Sequence, residues 1–507
     1  MDSSSEVDQL RAALAAREAD LAAREADLAA ERAHRVALEA QVAKLTEAVE
    51  ELQARLGRNS SNSNQPPSSD PPGASTSSPR KPKGGRRGGQ KGHRGTYRTL
   101  VADADRVVDL FPPECESCWE PLPSTPDLLA RRYQHWELAP VAVHITEYSR
   151  HAVRCPGCGH KTRAAFDAAV IPRSAFGPRL MAVVAMLTGV YHLSRRETVR
   201  LLRELLGVRI SLGAVSAIEA RVSALAAPAV DEAFEQARQA PIKHADGTSW
   251  LRASTMLSLW VIASATVTVF KVLDNGQADT LRDGLFGRVR GILVSDRATT
   301  LKFWAMKWRQ ICWAHLKRKF VAFSERAGPA GTFGKELLDY TKLLFEYWSQ
   351  YRRGQLDRVR LGERMAPVRR EVEALLARAV AAKVPDLSGS CQDILEHREA
   401  LWTFIARDGV EPTNNHAERE LRRFVMWRRR SFGSQSVRGD RFAERLMTLA
   451  HTARKQGRCV LAFLTACCTP RCRSGLPRKA SACGASAWRS WTRCLKPASA
   501  RGTAPLR

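Results

Sequence analysis

The chain has 507 residues, with 80 Lys+Arg against 52 Asp+Glu and a formal net charge of +28. A hydrophobic fraction of 44% and a charged fraction of 26% exclude a wholly disordered chain. At about 150 residues per domain the length allows two to four domains.

The longest apolar run, Leu180 to Val190, is too short to cross a bilayer and reads as a buried helix, so no membrane partner is expected. The opening Met1-Asp2-Ser3-Ser4-Ser5-Glu6 has no basic region and no apolar core, which points to a cytoplasmic chain. The positive excess calls for a polyanionic partner, nucleic acid by default.

In chain order, residues 1–56 come first. Leu14, Leu21, Leu28, Val42, Val49 and Leu56 recur at sevens, broken at Arg35, and Leu38, Leu45 and Leu52 add a second seam position. This predicts a coiled coil that pairs copies of the chain, with a single solvated helix as the alternative. Residues 57–100 turn to Asn, Ser, Pro and Gly, then to Gly and Arg. They read as a disordered basic linker in which Arg86 and Arg87 would lie along phosphates.

Over 101–170, Cys115-x-x-Cys118 and Cys155-x-x-Cys158 supply two spaced pairs, the donor set of a structural Zn²⁺. His160 is an outside alternative for one ligand. Val141 to Val153 alternates enough to predict the strand of a zinc ribbon. Residues 171–230 predict helices: Ser194-Arg195-Arg196-Glu197 is a capping box, Gly207 breaks the helix, and Ser211 caps the next. Helix, short turn and capped helix suit a helix-turn-helix, although any helical hairpin shares the pattern.

The segment from Pro241 to Asp296 predicts three strands, a helix from Gly276 to Phe286, then a fourth strand. Asp246 closes the first strand and Asp296 the last. In a ribonuclease-H-like sheet those strands are neighbours, so the two carboxylates would meet. Phosphodiester cleavage needs such acids to hold two Mg²⁺ (or Mn²⁺) ions. A third is expected in Glu411-Pro412-Thr413-Asn414-Asn415-His416-Ala417-Glu418-Arg419, with Thr413 or Asn414 as N-cap and Glu418 in the first turns.

The Asn59-to-Asp70 linker, the cysteine pairs, Cys312-Trp313-Ala314-His315-Leu316-Lys317-Arg318-Lys319-Phe320, Thr413 to Arg419 and Trp427 to Ser436 resemble transposases of bacterial insertion sequence 66, of the DDE class. The likeness covers roughly residues 51–466. The family's catalytic Asp-Asp-Glu falls on Asp246, Asp296 and Glu418, the acids reached independently above.

The resemblance implies a multidomain α+β protein: coiled coil, zinc ribbon, helix-turn-helix, and a ribonuclease-H-like catalytic domain over 235–466 with a helical insertion at about 325–405. It implies binding of element ends and target DNA, strand cleavage and transfer, location at the bacterial nucleoid, and accessory proteins of the same element as further partners. The alternative is a catalytically inactive DNA-binding protein derived from a transposase.

Two departures stand out. The family usually carries Glu after the first catalytic Asp, where this chain has Gly247. Residues 467–507 form an atypical basic tail without an acid, which reads as out-of-frame sequence or an unrelated extension. Lys317, Arg318 and Lys319, with Arg419, Arg422, Arg423, Arg428, Arg429 and Arg430, would neutralise phosphates near the acids. His315, three after Cys312, could be a metal ligand, but the segment reads better as a fifth strand running into those basic residues.

Overall fold

The structure is a computed structural model that describes residues 3–56, 99–127, 130–138, 140–165, 172, 174–385 and 387–469. Most of the linker, with Arg86 and Arg87, and the tail from residue 470 on lie outside the described residues.

Helix α1 (Ser3–Leu56) is continuous over 54 residues, as its wealth of Ala, Glu and Arg favours. Its seam residues Leu14, Leu21, Leu28 and Val42 are exposed within the single chain. Further on, β1 (Ala152–Arg154) and β2 (Lys161–Arg163) form a short antiparallel pair around the second cysteine turn. The strand expected over 141–153 is therefore corrected to three residues at its end. Val141, Val143 and Ile145 stay exposed and join no ladder among the described residues.

A helical layer follows: α2 (Pro178–Gly189), α3 (Arg195–Leu206) and α4 (Leu212–Gln239). Ser194 Oγ accepts the Glu197 N–H at 3.1 Å and Ser211 Oγ accepts that of Ala214 at 3.1 Å, so both expected caps form. Gly207 ends α3 in the left-handed conformation at φ 66°, which costs glycine little. Helix α4 is, among the described residues, the one long and apolar enough to cross a membrane. Val215, Ile218, Val222, Ala226 and Ala233 on it are buried in the main core.

The central sheet has the order β5-β4-β3-β6-β7. Strands β3 (Ile242–Arg252), β4 (Thr255–Ala263) and β5 (Thr268–Leu273) are antiparallel neighbours. Strands β6 (Ile292–Ser295) and β7 (Arg309–Ile311) extend the sheet in parallel on the other side of β3. The expected helix between β5 and β6 starts later, as α5 (Ala278–Leu281), and continues as a wider π-helical turn over Arg282–Phe286.

Period-two alternation sends the strands' side chains to two different layers. From β4, Trp260 and Ile262 join the core under α4, whereas Leu257, Leu259 and Val261 face the opposite side. There they meet Ala417, Leu421 and Phe424 of α12 (Asn415–Ser431), an i, i+4, i+7 stripe.

Helix α13 (Val437–Lys455) covers the edge strand. Glu444, Thr448 and Thr452, four apart on the helix, accept the N–H groups of Val272, Phe270 and Thr268, two apart on β5, at 2.5, 3.1 and 3.1 Å. One helical turn nearly matches two strand residues in rise, so one polar face closes an otherwise open edge. Helix α14 (Val460–Cys468) completes this side against α2.

On the other flank, α6 (Trp313–Ser324), α7 (Gly328–Arg352), α8 (Arg358–Ala381) and α9 (Ser388–Glu396), with short α10 (Arg398–Leu401) and α11 (Thr403–Ala406), enclose a second core. Leu316, Phe320, Leu337, Leu344, Leu361 and Leu375 are buried in it.

Candidate active site

Asp246 lies in the middle of β3, not at its end as expected. The ladder to β4 runs on through Arg252, because Trp250 and Leu251 still have partners to pair with. On the same face as Trp250, Asp246 points to the layer that α12 occupies. Asp296 follows β6 directly, beside β3, and Glu418 sits in the first turn of α12.

The three acids are close enough to act on one another. Burial, with the charges of Asp296 and Glu418 adding to it, pushes Asp246 up to about 8. Its Oδ1 accepts the Gly247 N–H at 3.0 Å. Asp296 Oδ1 accepts the Ala298 N–H at 3.1 Å. Beneath it, buried Arg309 donates to the Asp296 carbonyl at 3.0 Å and to Ser295 Oγ at 3.2 Å. Burial lowers the Arg309 guanidinium to about 10, while the Asp296 carboxylate works the other way.

Glu418 is held by its surroundings on both sides. Arg318 Nη2 donates to Oε2 at 3.4 Å, whereas Oε1 is buried with no hydrogen-bond partner and lies 3.7 Å from His315 Nδ1. Asn414, at the start of α12, does not cap the helix with its side chain. Its Nδ2 instead donates to the Ala245 carbonyl at 2.8 Å, its Oδ1 faces His244 Nδ1 at 3.3 Å, and its N–H points to Cys312 Sγ at 3.1 Å. The Trp313 N–H closes the same junction on the Pro412 carbonyl at 2.9 Å.

The basic residues divide. Lys317, Arg318 and Lys319 stand on α6, since the fifth strand ends at Ile311 and Cys312 opens a helix. Lys317 is exposed, Arg318 turns to Glu418, and Lys319 lies 5.6 Å over the Phe323 ring. Arg419, Arg422, Arg423, Arg429 and Arg430 are exposed along α12. Arg428 instead donates to Thr248 Oγ1 at 3.2 Å and Ser249 Oγ at 2.6 Å, bracing β3.

Gly247 has a structural reason. A Cβ there would come within 2.6 Å of the Trp260 ring, its cross-strand partner. The indole fills the space that any side chain at 247 would need.

The cysteine pairs form two similar turns. The N–H groups of Cys118 and Ser117 lower the Cys115 thiol, and those of Cys158 and Gly157 lower that of Cys155. Cys115 N–H meets the Glu120 carbonyl at 2.9 Å and Cys155 N–H that of His160 at 2.8 Å. The structure does not gather the four sulfurs. Among the described residues, the group of metal-type donors within 4.8 Å of one another is Cys312, His315 and Glu418.

A cavity of about 850 Å³ lies apart from the acids, between the starts of α3 and α4 and the Ser431–Gly439 turn, with Trp250 and Trp427 in its wall.

Asn414, expected as a cap, is instead the tie between α12 and β3, and His315, expected in a strand, faces Glu418 from α6. For Cys312 and His315 the signal was the three-residue spacing, which puts both on one side of a helix start.

Fold and site together define a mixed α+β protein that brings two acids of its sheet, Asp246 and Asp296, beside Glu418 at the start of a basic helix. Residues 173–441, more than half of the chain, match the transposase IS66 family, and the chain belongs to that family. Residues 7–99 match a family of unknown function, DUF6444. Among curated proteins none matches the chain.

Proposed function

We propose that the chain is a DDE transposase whose Asp246, Asp296 and Glu418 carry metal-dependent cleavage and transfer of DNA strands at the ends of an insertion sequence. The observation that carries this is the convergence of three carboxylates from β3, the end of β6 and the start of α12: burial first, then the charges of Asp296 and Glu418, push Asp246 up to about 8 against the Gly247 N–H and the Arg318 charge. The β5-β4-β3-β6-β7 order, with β3 and β6 parallel, supports a ribonuclease-H-like sheet.

All-oxygen donors and an unpartnered Glu418 Oε1 fit Mg²⁺ or Mn²⁺, two ions per site. Once bound, such ions supply the Lewis acidity that phosphodiester chemistry uses at the attacking and leaving oxygens. The chain's own residues then orient the acids. Asn414 fixes the start of α12 against β3, Arg318 holds Glu418 Oε2, and Arg309 braces the backbone at Asp296. Exposed Arg419, Arg422 and Arg429, with Lys317, would meet the DNA backbone.

In the same reading, the two cysteine turns, whose sulfurs stand apart in the structure, come together on a structural Zn²⁺ through Cys115, Cys118, Cys155 and Cys158. With α3 and α4 they recognise the ends, and the exposed seam of α1 pairs protomers. Gly247, where the family usually has Glu, favours the second reading of an inactive DNA-binding descendant. Incubating the purified chain with element-end and unrelated duplexes in Mg²⁺ or Mn²⁺ separates the two. Cuts mapping to the ends support the transposase, binding without cutting supports the descendant, and cuts at random positions contradict both.

A further inference from the structure

We infer that Cys312, His315 and Glu418 form a Zn²⁺ site that shares Glu418 with the acid triad, so that zinc and Mg²⁺ compete for one carboxylate. The donor atoms of the three residues all lie within 4.8 Å of one another. A tetrahedral zinc with bonds of about 2.0–2.3 Å spaces its ligands roughly 3.5 Å apart, so closing the group takes side-chain shifts of at most about 1.3 Å. His315 Nδ1 and Glu418 Oε1 are already 3.7 Å apart. Both atoms are buried and without any hydrogen-bond partner, which leaves two lone-pair donors aimed at the same point.

The sulfur is the independent observation. Cys312 Sγ receives the Asn414 N–H at 3.1 Å, and the N–H groups of His315 and Ala314 also point to it; burial pushes the free thiol up to about 11 against these donors, so the proton leaves only when a metal takes its place. Such N–H donors stabilise a ligating thiolate and fix its direction. Sulfur, imidazole and one carboxylate form a borderline-soft set that suits zinc and not Mg²⁺. The His315 and Glu418 side chains are 15% and 28% exposed although their donor atoms and Cys312 are buried, which places the site just beneath the surface. Three protein ligands leave a fourth position open.

The consequence rests on the proposed role of Glu418. Zinc held there draws the third acid away from the Mg²⁺ set and stops cutting.

The test uses the full-length chain, stripped of metal and titrated with Co²⁺ as a spectroscopic substitute for zinc. The four paired cysteines contribute equally to every sample, so the difference between variants is read. Wild type is expected to take up one more Co²⁺ than Cys312→Ser, with an added sulfur-to-cobalt charge-transfer band. His315→Gln should weaken that extra equivalent at least about tenfold, and covers the case in which Cys312→Ser does not fold. Equal stoichiometry and superimposable spectra in wild type and both variants would overturn the site.

In a second arm, zinc is added to Mg²⁺-driven nicking, each protein being scored against its own zinc-free rate. Inhibition at stoichiometric zinc in wild type, shifted at least about tenfold upward in His315→Gln, supports the competition. Equal inhibition in the two proteins overturns it. A wild type that never nicks sinks the catalytic reading instead, and the cobalt difference alone then decides the zinc site.

Discussion

The side-chain amide of Asn414 donates to the carbonyl of Ala245 at 2.8 Å, tying the start of the Glu418 helix to the residue before Asp246. One buried side chain thus sets the distance between two acids 172 positions apart in the sequence.

Asn414→Ala removes both side-chain contacts and leaves the Ala245 carbonyl and His244 facing a void. The expected cost is about 2 kcal/mol of stability, measurable by urea denaturation. End-specific nicking is expected to fall at least about tenfold beyond any loss of folded protein. A stable, fully active Asn414→Ala would remove the residue from the positioning of Glu418.

The Gly247–Trp260 pair should be strongly coupled. Gly247→Ala alone drives a Cβ into the indole and is expected to cost about 2 kcal/mol. In Trp260→Ala the added methyl has room, so the double variant should be less destabilised than the sum of the singles. Additive effects in a thermal double-mutant cycle would show that the ring does not occupy that space.

Glu444 makes stability depend on pH. Burial pushes its carboxyl up to about 7 from an ordinary 4.5, against the opposing Lys271 charge and Val272 N–H. The folded state therefore binds this proton more tightly than the unfolded chain does. Its contribution is complete below about 4.5 and is lost as pH rises through about 7. Glu444→Gln keeps an oxygen for the Val272 N–H and removes the titration. The wild type should thus lose on the order of 2–3 kcal/mol relative to this variant between those pH values. Parallel stability curves for the two proteins would contradict the burial of an ionising group.

The arginines of α12 should separate by role. Arg419→Ala and Arg429→Ala remove exposed charges and should each lower the salt dependence of DNA binding by about one unit of slope, with little change in melting temperature. Arg428→Ala loses its bonds to Thr248 and Ser249 and should lower the melting temperature instead. A reversed pattern in filter-binding and melting experiments would mean that Arg428, not its neighbours, faces the phosphates.

Much of this arrangement was legible in the sequence, where local pattern and chemistry coincide. Apolar β-branched runs before Asp296 and across β4 and β5 gave the strands, and Ser194, Gly207 and Ser211 marked the helix ends. What escaped depends on tertiary partners. The strand holding Asp246 runs past the acid because β4 is there to pair with it. Val141, Val143 and Ile145 alternate like a strand, yet pair with no strand among the described residues. Cys312 and His315 resembled the end of a strand, and only the packing of α6 against the start of α12 brings them to Glu418. Asn414 resembled a helix cap because its real acceptor, Ala245, is remote in sequence.

The most direct test of the central claim compares wild type with Asp296→Ala on a duplex carrying an element end, in Mg²⁺ and in Mn²⁺. Both proteins are expected to bind the end with similar affinity, while only the wild type nicks it, at a position fixed by the end sequence. Equal nicking by Asp296→Ala, or end binding by wild type without nicking in either metal, would contradict the assignment of the three carboxylates.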